Sequence, residues 1–264
     1  MVNLLRIVVV EARREFLRAR TYWLEVVADQ VLFTLGFLLL SGLFQLVAAG
    51  NYRAEAQLAS LVGFFIWRVA DGCILRTAGS ISDDAQSGTL EQVWLSGMSP
   101  QLILLARSLA ILLYHTLRGV LLAAVLMLIL HLLPMLSPGV LLIFVLTQAG
   151  AFGIAFIISG LHLVYKNVSS LTMAISTALL FLTGALAPLN NVPQLDSLSR
   201  ALPLTMGIKL MRQLVVEGMS LTALWQQPDV YWLFINTLFY SLAGWLVMGW
   251  GQRFAQRDGS LAHY

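Results

Sequence analysis

Charge is scarce in this sequence. Of 264 residues only 16 are Lys or Arg and 13 are Asp or Glu, 11% in all, against 59% hydrophobic residues. With a mean hydropathy of +0.82, a chain of this size cannot cover its apolar surface with so few charges in water, and lipid is the solvent implied. Cysteine is almost absent. The lone Cys73 excludes an internal disulfide and a thiolate metal cluster, and reads as a packing residue. No G-x-x-x-x-G-K-[ST] run occurs, since the residues before Lys166 and Lys209 are the wrong ones, so the chain cannot cradle nucleotide phosphates by itself. No H-E-x-x-H, no supported Ser-His-Asp arrangement and no metal-ligand spacing appears, which leaves an intramembrane enzyme without a catalytic set. The first residues lack the apolar stretch of a cleavable signal, because Glu11 to Arg20 is dense in charge.

What is present is long apolar runs. Six of them, at 23–48, 56–75, 102–133, 140–165, 168–188 and 230–251, have the length needed to cross a hydrocarbon core of ~30 Å as helices. Backbone in lipid must satisfy its own hydrogen bonds, and the short alternating segments of a barrel are missing, so the expectation is an all-α integral membrane protein with one transmembrane domain over 1–264. Six spans place both termini on one side. That side collects Arg6, Arg13, Arg14, Arg18, Arg20, Arg76, Arg107, Lys166, Arg253 and Arg257, while the other holds Arg53, Arg200, Lys209 and Arg212. The bias puts both termini in the cytoplasm of a multi-pass protein of the cytoplasmic (inner) membrane. The pI near 9.2 therefore reports topology, and nucleic acid is not an expected partner.

Residues 1–21 read as an amphipathic interfacial helix. Leu5, Val8, Val9, Ala12, Phe16 and Ala19 recur at helical spacing, and arginines crowd the rest of the surface. Glu11–Arg14 and Glu15–Arg18 are spaced to pair along it, and membrane lipids are the expected neighbours. Residues 189–220, on the non-cytoplasmic side, are broken by Pro193 and Pro203 yet too apolar for a free loop. Leu195, Leu198, Leu202, Ile208, Leu210, Met211, Leu214 and Val215 suit either short re-entrant helices dipping into the outer leaflet or a lid over helix ends. Two stripes of small residues, Ala151–Ala155–Ser159 and Ser170–Ala174–Ala178, suit close helix packing within a bundle or a dimer.

Inside the spans, Glu25 and Asp29 are four apart, Arg68 and Asp71 three apart, and His115 and Arg118 three apart, each pair on one helix face. A charge at the bilayer centre costs at least ~2.5–3.5 kcal/mol, so these six residues should face protein or water and find partners. Two readings stay open. One is a structural network, for example Asp29 with Arg118 or Arg68 with Asp71. The other is a polar portal that takes an amphiphile's charged head laterally from the inner leaflet.

Between the second and third spans, residues 82–100 contain "SGTLEQVWLSGMSP". Thr89 and Gln92 fit a capping box, and Leu90, Val93 and Trp94 then share one face, with Gly97 and Pro100 as the stop. Asp83 and Asp84 are expected just before the first turn, where a helix dipole favours them. Such a segment is a short stiff helix with a small apolar face, resting on lipid, on the N-terminal helix or on a partner.

This stretch resembles the cytoplasmic-loop signature of ABC type-2 transporter permeases, in which a Gly-Thr-Leu-Glu run is followed by Ser-Pro. The matching residues are Gly88, Thr89, Leu90, Glu91, Gln92, Ser99 and Pro100, and the sequence departs at Trp94 and Gly97-Met98. The N-terminal helix, the six spans and the dipping segment are similar to that family's plan. The resemblance implies the permease half of an ATP-driven exporter that works as a homodimer. Two copies of a separate ABC ATPase would bind ATP and Mg, with no cofactor in this chain. It also implies that Gly88 to Trp94, with Ser99 and Pro100, form the helix that couples to the ATPase, and that the cargo is a drug, a lipid or a lipid-linked glycan. An ion-coupled secondary transporter or channel using the buried charges is the alternative. It calls for inverted halves with matching helix interruptions, and only one interruption, near Pro188, is visible.

Overall fold

The computed structural model describes residues 4–47, 54–86, 99–135, 137–165, 168–187 and 193–257, and among them the regular structure is entirely helical. In chain order the helices are α1 (Leu4–Thr21), α2 (Trp23–Val47), α3 (Ala54–Gln86), α4 (Pro100–Leu130), α5 (Gly139–Tyr165), α6 (Ser169–Leu182), α7 (Pro193–Ser199), α8 (Pro203–Val215), α9 (Leu221–Trp225) and α10 (Pro228–Arg257). Five of these, α2, α3, α4, α5 and α10, are long and apolar enough to cross a membrane.

The central element is α3. Its span is 83% buried, against 11% for α2 and 22% for α10. Its 33 residues extend ~50 Å at 1.5 Å per residue, well beyond a hydrocarbon core. The second predicted span thus continues through Asp83 and Asp84, which lie in the last turn of α3; the helix expected to follow them falls outside the described residues. Aromatic rings bind α2 to α3, with Phe37 and Phe64 centred 5.1 Å apart and Phe33 and Trp67 6.1 Å apart. The Trp67 indole N–H donates to the Ser176 carbonyl of α6 at 2.9 Å, and the Gln148 amide of α5 donates to the Ile66 carbonyl at 3.2 Å. Polar side chains therefore fix register where apolar packing alone does not discriminate.

The fifth predicted span, 168–188, is a 14-residue helix, ~21 Å long. Thr183 turns its hydroxyl back onto the Leu179 carbonyl, and Gly184 adopts φ 70°, a left-handed conformation that ends the helix. Its small-residue stripe, Ser170–Ala174–Ala178, faces outward, whereas Ala151–Ala155–Ser159 on α5 is buried in the bundle.

The tightest helix contact is α5 on α10, and glycine makes it. A Cβ added at Gly160 would sit 2.7 Å from the Val247 carbonyl oxygen and 3.0 Å from the Met248 Cα. Gly153, Gly244 and Gly251 likewise face backbone of the opposite helix. Gly153 and Gly160, like Gly244 and Gly251, are seven residues apart, so each pair lies on one face two turns apart. Thr237 donates to the Leu146 carbonyl across the same seam at 3.0 Å.

At the end of the bundle opposite the α3–α4 connection, α7 and α8 form a short helical pair. Leu204, Met206, Ile208, Leu210, Met211 and Leu214 of α8 are buried. The link between the two helices is held by α10, whose Trp232 and Asn236 both donate to the Arg200 carbonyl, at 2.8 and 2.7 Å. Arg212 reaches from α8 to the carbonyls of Ala59 at 2.8 Å and Gly184 at 2.7 Å, tying the start of α3 to the end of α6.

Candidate functional site: a charged cavity and an ion clamp

One face of α1, carrying Ile7, Val8, Glu11, Ala12, Glu15 and Ala19, turns inward, while Leu5, Val9, Val10 and Leu17 are exposed. Two acids on the inward face dictate where it docks. Glu15 receives Arg76 of α3 at 3.0 Å, and Glu11 receives Arg107 of α4 at 3.3 Å. The same arginines are held from the end of α3, Arg76 by Asp83 at 2.8 Å and Arg107 by Asp84 at 2.6 Å. Arg18 lies 3.7 Å from Asp83. The Glu11–Arg14 pair forms within α1 at 3.6 Å, but Glu15 and Arg18 turn to α3 instead of to each other. A carboxylate in low dielectric gains more from a buried guanidinium than from a solvated one a turn away. This clamp joins α1, the last turn of α3 and the first two turns of α4.

Deeper in the bundle a second cluster forms. Asp29 of α2 is shared by two guanidiniums, Arg68 at 2.6 Å and Arg118 at 2.5 Å. Arg68 also meets Asp71 at 3.4 Å, and Asp71 accepts from the Ser176 hydroxyl. Arg68 lies over the Phe33 ring, 3.9 Å from its centroid. Both expected pairs are present and are fused into one network through Asp29. His115 packs on Gly72, where no other residue would leave it room. A cavity of about 410 Å³ opens between these groups, with Glu25, Asp29, Arg68, Asp71, His115 and Arg118 all in its wall, together with Glu15, Arg18 and Arg76 of the clamp. Glu25 is the exception in pairing: it lines the cavity, yet no ion pair reaches it among the described residues.

Of the loop signature, Gly88, Thr89, Leu90, Glu91, Gln92, Val93 and Trp94 lie outside the described residues. Ser99 and Pro100 lie within them and start α4. Ser99 is its N-cap, with a hydroxyl accepting from the Leu102 amide at 3.3 Å, and Pro100 occupies the first turn. Sequence reasoning missed Glu11, Glu15, Arg76, Asp83, Asp84 and Arg107 as a unit. The available signal was two acids four residues apart on the otherwise apolar face of a helix.

A smaller cavity of about 280 Å³ lies at the far end, lined by Thr205, Lys209, Arg212, Gln213 and Asp196 among others.

Among the described residues, five membrane-length helices, a charged cavity and a shorter apolar helix define a multi-pass helical membrane protein. The family model described as ABC-2 type transporter matches residues 7–216, which take in the clamp, the cavity, the loop signature and α8. The chain belongs to the ABC-2 type transporter family. No curated protein matches it.

Proposed function

We propose that this protein is the permease subunit of an ATP-driven ABC type-2 exporter, and that it moves an apolar or amphiphilic substrate across the cytoplasmic membrane with both termini in the cytoplasm. The observation that carries the reading is the family match over residues 7–216. The missing phosphate-binding loop agrees with it, since an energy source must then come from elsewhere. Two copies of a separate ATPase bind ATP and Mg, and two copies of this chain pair in the membrane. In that pairing the outward stripe of α6 and the exposed leucines of α2 gain a partner. Residues 193–215 re-enter the outer leaflet and close the exit end of the path.

Force arrives at residues 88–94. Their flanks, the last turn of α3 and the first two turns of α4, are joined by the buried Asp84–Arg107 pair at 2.6 Å. A push on the intervening segment therefore moves α3 and α4 together, and Glu11 and Glu15 carry the displacement to α1. Glu91→Ala and Trp94→Ala test this in a co-expressed complex. Each is expected to weaken ATPase retention or transport while the bundle stays folded; full retention and transport in both variants would remove the assignment. An ion-driven carrier, by contrast, would transport in proteoliposomes containing this chain alone.

A further inference from the structure

We infer that an apolar groove between α4, α5 and α10 holds one acyl chain of an anionic phospholipid. The lipid comes from the leaflet on the side of the α3–α4 connection, the cytoplasmic one on the permease reading, and only that orientation rests on the reading. The groove, about 290 Å³, shares no lining residue with the charged cavity. Short side chains line it where the glycine seam brings α5 and α10 together. Gly153 faces the backbone of Tyr240 and Ser241, and Ala149 and Ser241 belong to the same wall. Phe156 and Trp245 stack beside them, their ring centroids 6.3 Å apart. Leu105, Leu109 and Leu112, on one face of α4 at i, i+4 and i+7, form the opposite side. Apart from the Trp245 indole, the one polar side chain is Ser241, whose hydroxyl donates to the Ala149 carbonyl at 3.4 Å. A polar ligand would lose its hydration there with little in return.

The dimensions fit a chain. From Val145 to Phe156 the α5 wall runs ~16 Å at 1.5 Å per residue, about one leaflet of a ~30 Å hydrocarbon core. The volume is at the small end for ligand pockets, which start near ~300 Å³, so it suits a single chain whose head stays outside. Leu109, Val145 and Trp245 are exposed, and the chain enters sideways between them. At the end nearest the α3–α4 connection Gln101 closes the groove. Its amide donates to the Trp245 carbonyl at 3.2 Å and packs on Gly249, 2.7 Å from where a Cβ would be. One turn beyond, Arg253 donates its Nε–H to the Gly249 carbonyl at 3.1 Å, which lays the side chain back toward that end. Arg253 is exposed and takes no ion pair among the described residues. An anionic head above a chain in the groove supplies the missing charge, and a head without net charge does not.

The test places the full chain, co-expressed with its ATPase, in phosphatidylcholine vesicles that carry phosphatidylglycerol with a mid-chain diazirine. After illumination, peptide mass spectrometry maps the adducts. They are expected on Leu105, Leu109 and Phe152 at about fivefold the level on Leu117 and Leu121, which are exposed on α4 outside the groove. Arg253→Gln should lower the groove adducts about fivefold, to the level given by phosphatidylcholine with the same diazirine. Leu109→Trp, at a rim position 39% exposed, fills the groove and should remove its adducts with either lipid, while those on Leu117 and Leu121 stay. Groove adducts no higher than those on Leu117 and Leu121, or unchanged by either substitution, would overturn the inference. So would a disulfide between two chains carrying Leu109→Cys and Cys73→Ala, which would make a second copy the occupant. ATPase retention is measured on the same samples. If the groove stays unlabelled while the ATPase is retained, the inference fails and the permease reading stands; if the groove is labelled but no ATPase is retained, the permease reading alone fails.

Discussion

Replacing Asp84 by Asn removes one charge from a pair whose side chains are 7% and 8% exposed and 2.6 Å apart. Breaking a buried pair by deleting one partner costs ~3–5 kcal/mol, because the other charge is left without compensation. Here Glu11 remains 3.3 Å from Arg107, so the lower end applies, about 3 kcal/mol, or roughly a hundredfold in the folding equilibrium. Arg107→Gln alone should cost a similar amount, since it removes the guanidinium that both Asp84 and Glu11 hold. The double variant should cost clearly less than the sum, with a coupling of roughly 1–3 kcal/mol. Reversible unfolding in mixed micelles measures all four corners of the cycle. The clamp has a functional signature too. Asp84→Asn should leave the ATPase bound and hydrolysing while transport falls, because the push is no longer shared between α3 and α4. Additive single-variant effects, or Asp84→Asn stability within about 0.5 kcal/mol of the parent, would refute the reasoning.

Other outcomes follow from the packing. Gly160→Val should destabilise by at least ~1–3 kcal/mol, because the added carbon meets Val247 backbone rather than a movable side chain. Gly79→Ala, where nothing lies within 4 Å, should instead stabilise α3 by up to ~1 kcal/mol; thermal unfolding of the two variants side by side checks the contrast. Asp29→Asn should cost about 2 kcal/mol, reduced by the carboxylate's 34% exposure, and Arg118→Gln in the same chain should recover part of it. Denaturant unfolding in micelles of the single and double variants reads that recovery.

The long helices were legible because apolar runs of twenty or more residues have one solution in lipid. The fifth run was misjudged in length for a local reason. Its apolarity continues to residue 188, but Thr183 and Gly184 end the helix after Leu182. The deep charges were legible as well, since Asp29, Arg68, Asp71 and Arg118 had to find partners and did so among themselves. Spacing within one helix did not reveal that Asp29 serves two arginines from different helices. Nor could it show that Glu15 prefers Arg76, 61 residues away, to Arg18 three residues away. Helix-face patterns record which residues share a surface and carry no information on which helix will cover it. The glycine seam between α5 and α10 was invisible for the same reason, as its four glycines acquire meaning only once the two helices are side by side.

Site-directed cross-linking from the α3–α4 connection tests the central claim most directly. Trp94→Cys, in a chain with Cys73→Ala, is to be treated with a short bifunctional thiol reagent in membranes that contain the co-expressed ATPase. The account predicts labelling only from the cytoplasmic side and an adduct between this chain and the ATPase. Labelling from the outside, or no ATPase adduct in an actively transporting membrane, would contradict it.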